Sequence, residues 1–158
     1  MNPSPTPPVA RPLAPEPSRA GPGERISAAI IAAACLALLI VASRLTPDPA
    51  LTGTHTQLGL QPCGLLVASG FPCPTCGMTT AFAAAAGARP LTALAAQPMG
   101  AVMALGTAVL FWGAVHVAVL GSNLGRIGAR LLRPSVVWAA AGLGVLAWVY
   151  TIARIRGW

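Results

Sequence analysis

The stretch "CGLLVASGFPCPTCGMTTAFAAAAGA", residues 63–88, decides how many times this chain crosses a membrane. It is apolar, but Gly64, Gly70, Pro72, Pro74 and Gly77 interrupt it. In lipid, a spanning helix must satisfy its own backbone hydrogen bonds. Each proline removes a donor and clashes with the preceding turn. The stretch therefore predicts a re-entrant or interfacial segment rather than a span. Helix is expected from Pro74 to about Ala88, followed by a second short piece in "RPLTALAAQ", residues 89–97.

The surroundings make the membrane setting plain. Hydrophobic residues are 55% of the 158 and charged residues only 8%. A soluble domain carries about 25% charged residues. Three apolar runs of spanning length flank the segment, at about 26–43, 99–120 and 136–153. The first covers roughly 27 Å as a helix, close to the hydrocarbon thickness. Pro98 suits the opening turn of the second run, and Ser135 reads as the N-cap of the third. Residues 1–24 hold half of the 16 prolines and show no hydrophobic periodicity, so they read as a disordered cytoplasmic tail. That long tail argues against a cleaved signal peptide. The expected architecture is an all-α membrane protein: one helical membrane domain over 25–158, with three transmembrane helices and a Cys-motif segment at 63–97. Four spans are the alternative.

All ten basic residues are arginine, and they flank the apolar runs. Their count does not choose between the topologies. With three spans, Arg11, Arg19, Arg25, Arg126, Arg130 and Arg133 lie inside; with four, Arg11, Arg19, Arg25, Arg89, Arg154 and Arg156 do. Either way six are inside and four outside, and the positive-inside rule puts the N-terminus in the cytoplasm. Only the broken backbone favours three. The Cys motif then lies near the outer face. Trp138, Trp148, Tyr150 and Trp158 read as interfacial rings.

Two thiols, Cys73 and Cys76, stand three apart around Pro74, with Cys63 upstream. If Pro74 opens a helix, Cys73 is its N-cap and Cys76 lies in its first turn, where the positive helix end favours thiolate. Such thiols serve a disulfide, a metal site or a redox pair. Zinc needs four ligands; Cys63, Cys73 and Cys76 supply three, and His55 is the nearest imidazole. Redox chemistry needs a resolving thiol, a place Cys63 can take. Gly77 stands where covalent haem attachment would need histidine, and no nucleotide-binding fingerprint is present. Cys35, deep in the first run, reads as a packing residue. His116, inside the second, reads first as a histidine hydrogen-bonded to a neighbouring helix. The arginines form no basic stripe interleaved with aromatics, which argues against nucleic-acid binding.

The pattern resembles domain-of-unknown-function family 2752, small bacterial membrane proteins. Its motif is a leading cysteine, a glycine-containing stretch, then C-P-x-C-G-x-T-R-A, a short helix, and a polar residue with proline opening a long apolar helix. Cys63, Gly70, Pro72, Cys73, Pro74, Cys76, Gly77, Thr79 and Ala81 match, and Gln97–Pro98 stands where the family usually has Asn-Pro. Thr80 replaces the usual arginine, and Gly64 replaces a proline. The resemblance implies a multi-pass protein of the bacterial cytoplasmic membrane and implies no activity. The leading functional expectation is a non-enzymatic protein of the lipid bilayer, its Cys motif a structural clasp (disulfide or metal), within a larger membrane complex. A thiol–disulfide oxidoreductase using Cys73 and Cys76 is the alternative, and a transporter component the third.

Overall fold

A computed structural model describes residues 19–123 and 133–157. The tail up to residue 18, the connection at 124–132 with Arg126 and Arg130, and Trp158 lie outside the described residues. The described residues form six α-helices, one 3-10 turn and no strand. In order these are α1 (Pro22–Arg44), the 3-10 turn (Thr54–Leu58), α2 (Gly64–Ser69), α3 (Met78–Ala86), α4 (Pro90–Ala96), α5 (Pro98–Leu120) and α6 (Pro134–Arg156).

Three of them, α1, α5 and α6, are long and apolar enough to cross a membrane. Each has 23 residues, about 34 Å of helix. All three begin with proline at the first helical position, where a missing N–H costs nothing. This moves two boundaries. Helix α1 takes in residues 22–24, expected to be tail, because Pro22 opens it and the Glu24 carboxylate accepts the Gly21 N–H at 2.9 Å. Helix α6 has Arg133 rather than Ser135 as its N-cap.

The tie between three and four spans is broken by how α1 meets α5. Arg25, at the start of α1, donates to the Ala118 and Val119 carbonyls at the end of α5, at 2.9 and 3.1 Å. The Ala20 N–H donates to the Gly121 carbonyl beside them. The two helices are therefore antiparallel, and residues 45–97 leave and return at one end of the bundle. They do not cross.

Small residues make the α1–α5 contact close. Ala28, Ala32, Cys35 and Ala42 are the buried residues of α1; Gly100, Ala104, Ala114 and Val117 are those of α5. With mostly small side chains between them, two backbones approach and gain close packing contacts. Of the small pair visible in the sequence, Ala104 packs against Ala42 of α1, while Gly100 faces α3, where a Cβ would lie 2.9 Å from that of Ala81. Cys35 is a packing residue on the same face of α1. Large apolar side chains such as Ile30, Leu105, Val109 and Leu146 point outwards, as lipid demands.

The broken segment sits on the end of this frame and partly inside it. Phe82 of α3 packs against Ala42 of α1 and Ala104 of α5. Ala104 is about 9 Å along α5 from its start, so α3 is tucked between the long helices. Helices α3 and α4 close on each other through Ala81, Ala84, Ala93 and Ala96, each at most 1% exposed.

Candidate functional site: three thiols at one end of the bundle

Cys63 is the N-cap of α2. Gly70 stops that helix in the left-handed conformation, with φ of 69°. The chain turns through Phe71 and the fully buried Pro72 into a turn closed by the Cys76 N–H on the Cys73 carbonyl, at 3.0 Å. Pro74 holds the second position of that turn, which its fixed φ suits. Cys73 is therefore not a helix cap. Helix α3 starts four residues after Pro74, at Met78, because Gly77 takes φ of 85° and becomes the N-cap. Any other residue at Gly77 would force the surrounding backbone to shift. A Cβ there would lie 2.8 Å from the Ala96 carbonyl oxygen and 3.0 Å from that of Leu51.

These two bends bring the three thiols together. The sulfurs of Cys63, Cys73 and Cys76 all lie within 4.8 Å of one another. Those of Cys73 and Cys76 are 3.2 Å apart, and the Cys73 sulfur is also 3.2 Å from Thr75 Oγ1. All are free thiols in this structure. Their surroundings differ. Cys76 is 6% exposed, and burial pushes its thiol up to about 12, with its proton shared towards Cys73 and Cys63. The Cys63 thiol is lowered to about 7, first by the Leu66 backbone N–H that faces its sulfur without closing a full cap bond, then by the two neighbouring thiols. Among these two, Cys63 loses its proton first and Cys76 last.

A cavity of about 370 Å³ opens beside the thiols, lined by His55, Cys63, Leu66, Cys73, Cys76 and Thr79 among others. His55 is thus brought to the site, although its Nε2 lies against the Gln61 carbonyl at 3.0 Å and the ring stands outside the sulfur cluster. Thr79 lines the cavity. Thr80 is fully buried, and its hydroxyl lies 2.8 Å from that of Thr54. Thr54 Oγ1 in turn accepts the Asp48 N–H at 3.0 Å. His116 is not brought to the site. It bonds its own helix, Nδ1 to the Trp112 carbonyl at 3.0 Å, rather than a neighbouring one.

The residues that hold the motif come mostly from elsewhere. Gln97 N-caps α5 through its side-chain oxygen, which accepts the Gly100 N–H, and its amide nitrogen points at the Pro74 carbonyl at 3.4 Å. Trp148 Nε1 donates to the Pro72 carbonyl at 2.9 Å. The Arg156 guanidinium stacks 4.2 Å over the Phe71 ring. Arg154 donates to the Ala96 carbonyl at 3.2 Å and reaches the Ala50 carbonyl at 3.5 Å. Tyr150 donates to the Ala95 carbonyl at 3.2 Å. Sequence reasoning took Trp148, Tyr150, Arg154 and Arg156 for interface anchors and flanking charges. The available signal was Trp148: an indole N–H well inside an apolar run needs an acceptor.

With this geometry in view the comparison with known families is direct. Residues 63–111 match the family model described as protein of unknown function (DUF2752). The match runs from Cys63 through the thiol turn and past the middle of α5. Helix α1, the 3-10 turn and α6 fall outside it. No curated protein and no solved structure matches the chain.

Proposed function

We propose that this chain is a non-enzymatic multi-pass protein of the bacterial cytoplasmic membrane, in which Cys63, Cys73 and Cys76 clasp the broken segment into one rigid cap on the helix bundle. One observation carries the reading. Three sulfurs from two separate bends of the chain converge within 4.8 Å, at a place where α2 buries no residue of its own. Helix α2 has six residues, far below the length at which a helix is stable alone. A bond through sulfur is what ties its start to the thiol turn. The N-terminus is cytoplasmic and the cap faces outwards. The apolar face of α6, which buries only Ala147 and Thr151, is free to meet lipid or another membrane protein in a larger complex.

The experiment compares Cys63→Ser, Cys73→Ser, Cys76→Ser and Cys35→Ser for thermal unfolding in detergent. Each of the first three lowers the transition temperature more than Cys35→Ser does. Wild-type stability from all three motif variants would sink the clasp.

The lowered thiol of Cys63 favours a second reading, thiol–disulfide exchange, with roles different from those the motif suggests. Cys63 thiolate would attack a substrate disulfide and expel one substrate thiolate. Cys73 would then attack the mixed disulfide, expel the second thiolate and leave Cys63–Cys73 oxidised. Cys76, buried and with its thiol pushed up to about 12, is a poorer nucleophile at neutral pH than Cys63. A mixed disulfide trapped on Cys63 in a Cys73→Ser background distinguishes this reading from the clasp. A transporter needs paired broken helices, and the described residues hold a single broken segment.

A further inference from the structure

We infer that the cluster is a zinc site, with thiolates from Cys63, Cys73 and Cys76 and the His55 Nδ1 atom as the fourth ligand. The inference rests on the clasp reading and says what closes the clasp.

Parity is the first argument. A disulfide joins two sulfurs and leaves the third unpaired; a metal ion uses all three. Distance is the second. With Zn–S bonds of about 2.3 Å, two thiolates of a tetrahedral site lie about 3.8 Å apart. The observed spacings bracket that value: Cys73 and Cys76 are at 3.2 Å, and no pair exceeds 4.8 Å. Shifts of about an ångström complete the sulfur face. The turn is the third. With the Cys76 N–H on the Cys73 carbonyl, the chain folds back on itself and both sulfurs point to one side, while Cys63 arrives from the start of α2.

His55 supplies the rest. It lines the same cavity as the three cysteines. Its Nε2 lies 3.0 Å from the Gln61 carbonyl oxygen, which can only accept a hydrogen bond. Nε2 therefore carries the proton, and Nδ1 carries the lone pair. Ligand histidines are held in this way, one ring nitrogen on a carbonyl and the other free for the metal. The sulfur-rich donor set selects a soft or borderline ion over calcium or magnesium. Binding converts three thiols to thiolates and releases their protons, so a neutral histidine and three thiolates leave a site with one net negative charge around Zn²⁺. The 3-10 turn that carries His55 would then be tied to the cap, joining a third piece of chain to the two bends.

The test uses the full chain in detergent micelles with a non-thiol reductant, and Co²⁺ as the spectroscopic probe. The expected result is one Co²⁺ per chain, with sulfur-to-cobalt charge-transfer bands, the visible bands of a tetrahedral site, and bleaching by added Zn²⁺. Each of Cys63→Ser, Cys73→Ser and Cys76→Ser weakens binding at least tenfold, and Cys35→Ser leaves it unchanged. His55→Gln keeps the charge-transfer bands, alters the visible ones and weakens binding. Helical circular dichroism confirms that each variant is folded. Absence of the bands in fully reduced wild-type protein overturns the inference, as does wild-type binding in all three motif variants. Copper(I) bound by the three cysteines in preference to zinc, with no dependence on His55, also overturns it. If the bands are absent while motif variants still lower the unfolding temperature, the clasp survives and the zinc does not. If zinc binds without moving that temperature, the site survives and the clasp does not.

Discussion

Replacing Gly77 with alanine tests whether the bend before α3 is what holds the thiols together. Two penalties apply. The left-handed φ of 85° costs an L residue about 1–2 kcal/mol. The new Cβ would also lie 2.8 Å from the Ala96 oxygen and 3.0 Å from that of Leu51, against backbone that cannot swing aside. Overpacking of that kind costs about 1–3 kcal/mol. The expected total is about 2–5 kcal/mol, a large part of a typical domain's stability. Gly70 is the internal control. It shares the left-handed conformation, φ 69°, but a Cβ there meets nothing within 4 Å. Gly70→Ala should therefore cost only the conformational part. The assay is unfolding of the detergent-solubilised protein, with the rate of oxidative cross-linking between Cys63 and the thiol turn as a second readout. Gly77→Ala should lose more stability than Gly70→Ala by about 1–3 kcal/mol and should slow the cross-linking. Equal losses at the two glycines would refute the packing argument.

Trp148→Phe keeps an aromatic ring but removes the indole N–H from the buried Pro72 carbonyl together with the pyrrole part of the ring, and should cost about 1–3 kcal/mol in the same unfolding assay. In reduced, metal-free protein, alkylation of Cys63 should rise with pH through a midpoint of about 7, while Cys76, held at about 12, resists at neutral pH; mass spectrometry of the alkylated peptides after brief labelling reads both. The sign follows from the nucleophile. Only thiolate reacts, and at pH 7 a thiol of pKa about 7 is about half ionised, against about one in a hundred for an ordinary one. Reporter fusions in the 126–133 connection and after residue 158 should give a cytoplasmic and an external signal respectively; the reverse pattern would contradict the proposed cytoplasmic N-terminus and outward-facing cap.

The long helices were legible in the sequence because one physical demand dominates them. A span must be apolar for about 20 residues, and the runs at 26–43, 99–120 and 136–153 each lie within the observed helix. The refusal of residues 63–88 to span was legible for the opposite reason, since prolines and glycines are explicit about backbone. The start of α3 was not legible. Pro74 fits the first position of a helix and the second position of a turn equally well, and the choice was made by Gly77, through its contacts with Leu51 and Ala96, 26 and 19 residues away. The Thr54–Thr80 pair was equally invisible, because a threonine in a Thr-rich loop shows no sign of its partner. His116 exposes a simpler gap: sequence showed a histidine within a span, and its own helix supplied the acceptor.

The reach of α6 bears most on how the site works. The region matching DUF2752 ends at residue 111, and it contains all three thiols. Yet the Pro72 carbonyl, the Phe71 ring and the Ala95 and Ala96 carbonyls are engaged by Trp148, Arg156, Tyr150 and Arg154. Each contact falls on a joint of the broken segment: before the thiol turn, or at the end of α4. Peptide groups at such joints have no helical partner, and in an apolar setting an unmet carbonyl is costly. Helix α6 meets that need from outside the matched region, while burying little of itself against the other long helices. Cutting α6 away should therefore leave the thiols present but their backbone unsupported. The Trp148→Phe variant is the mildest form of that cut, since it removes one hydrogen bond and part of one ring and leaves the rest of α6 in place.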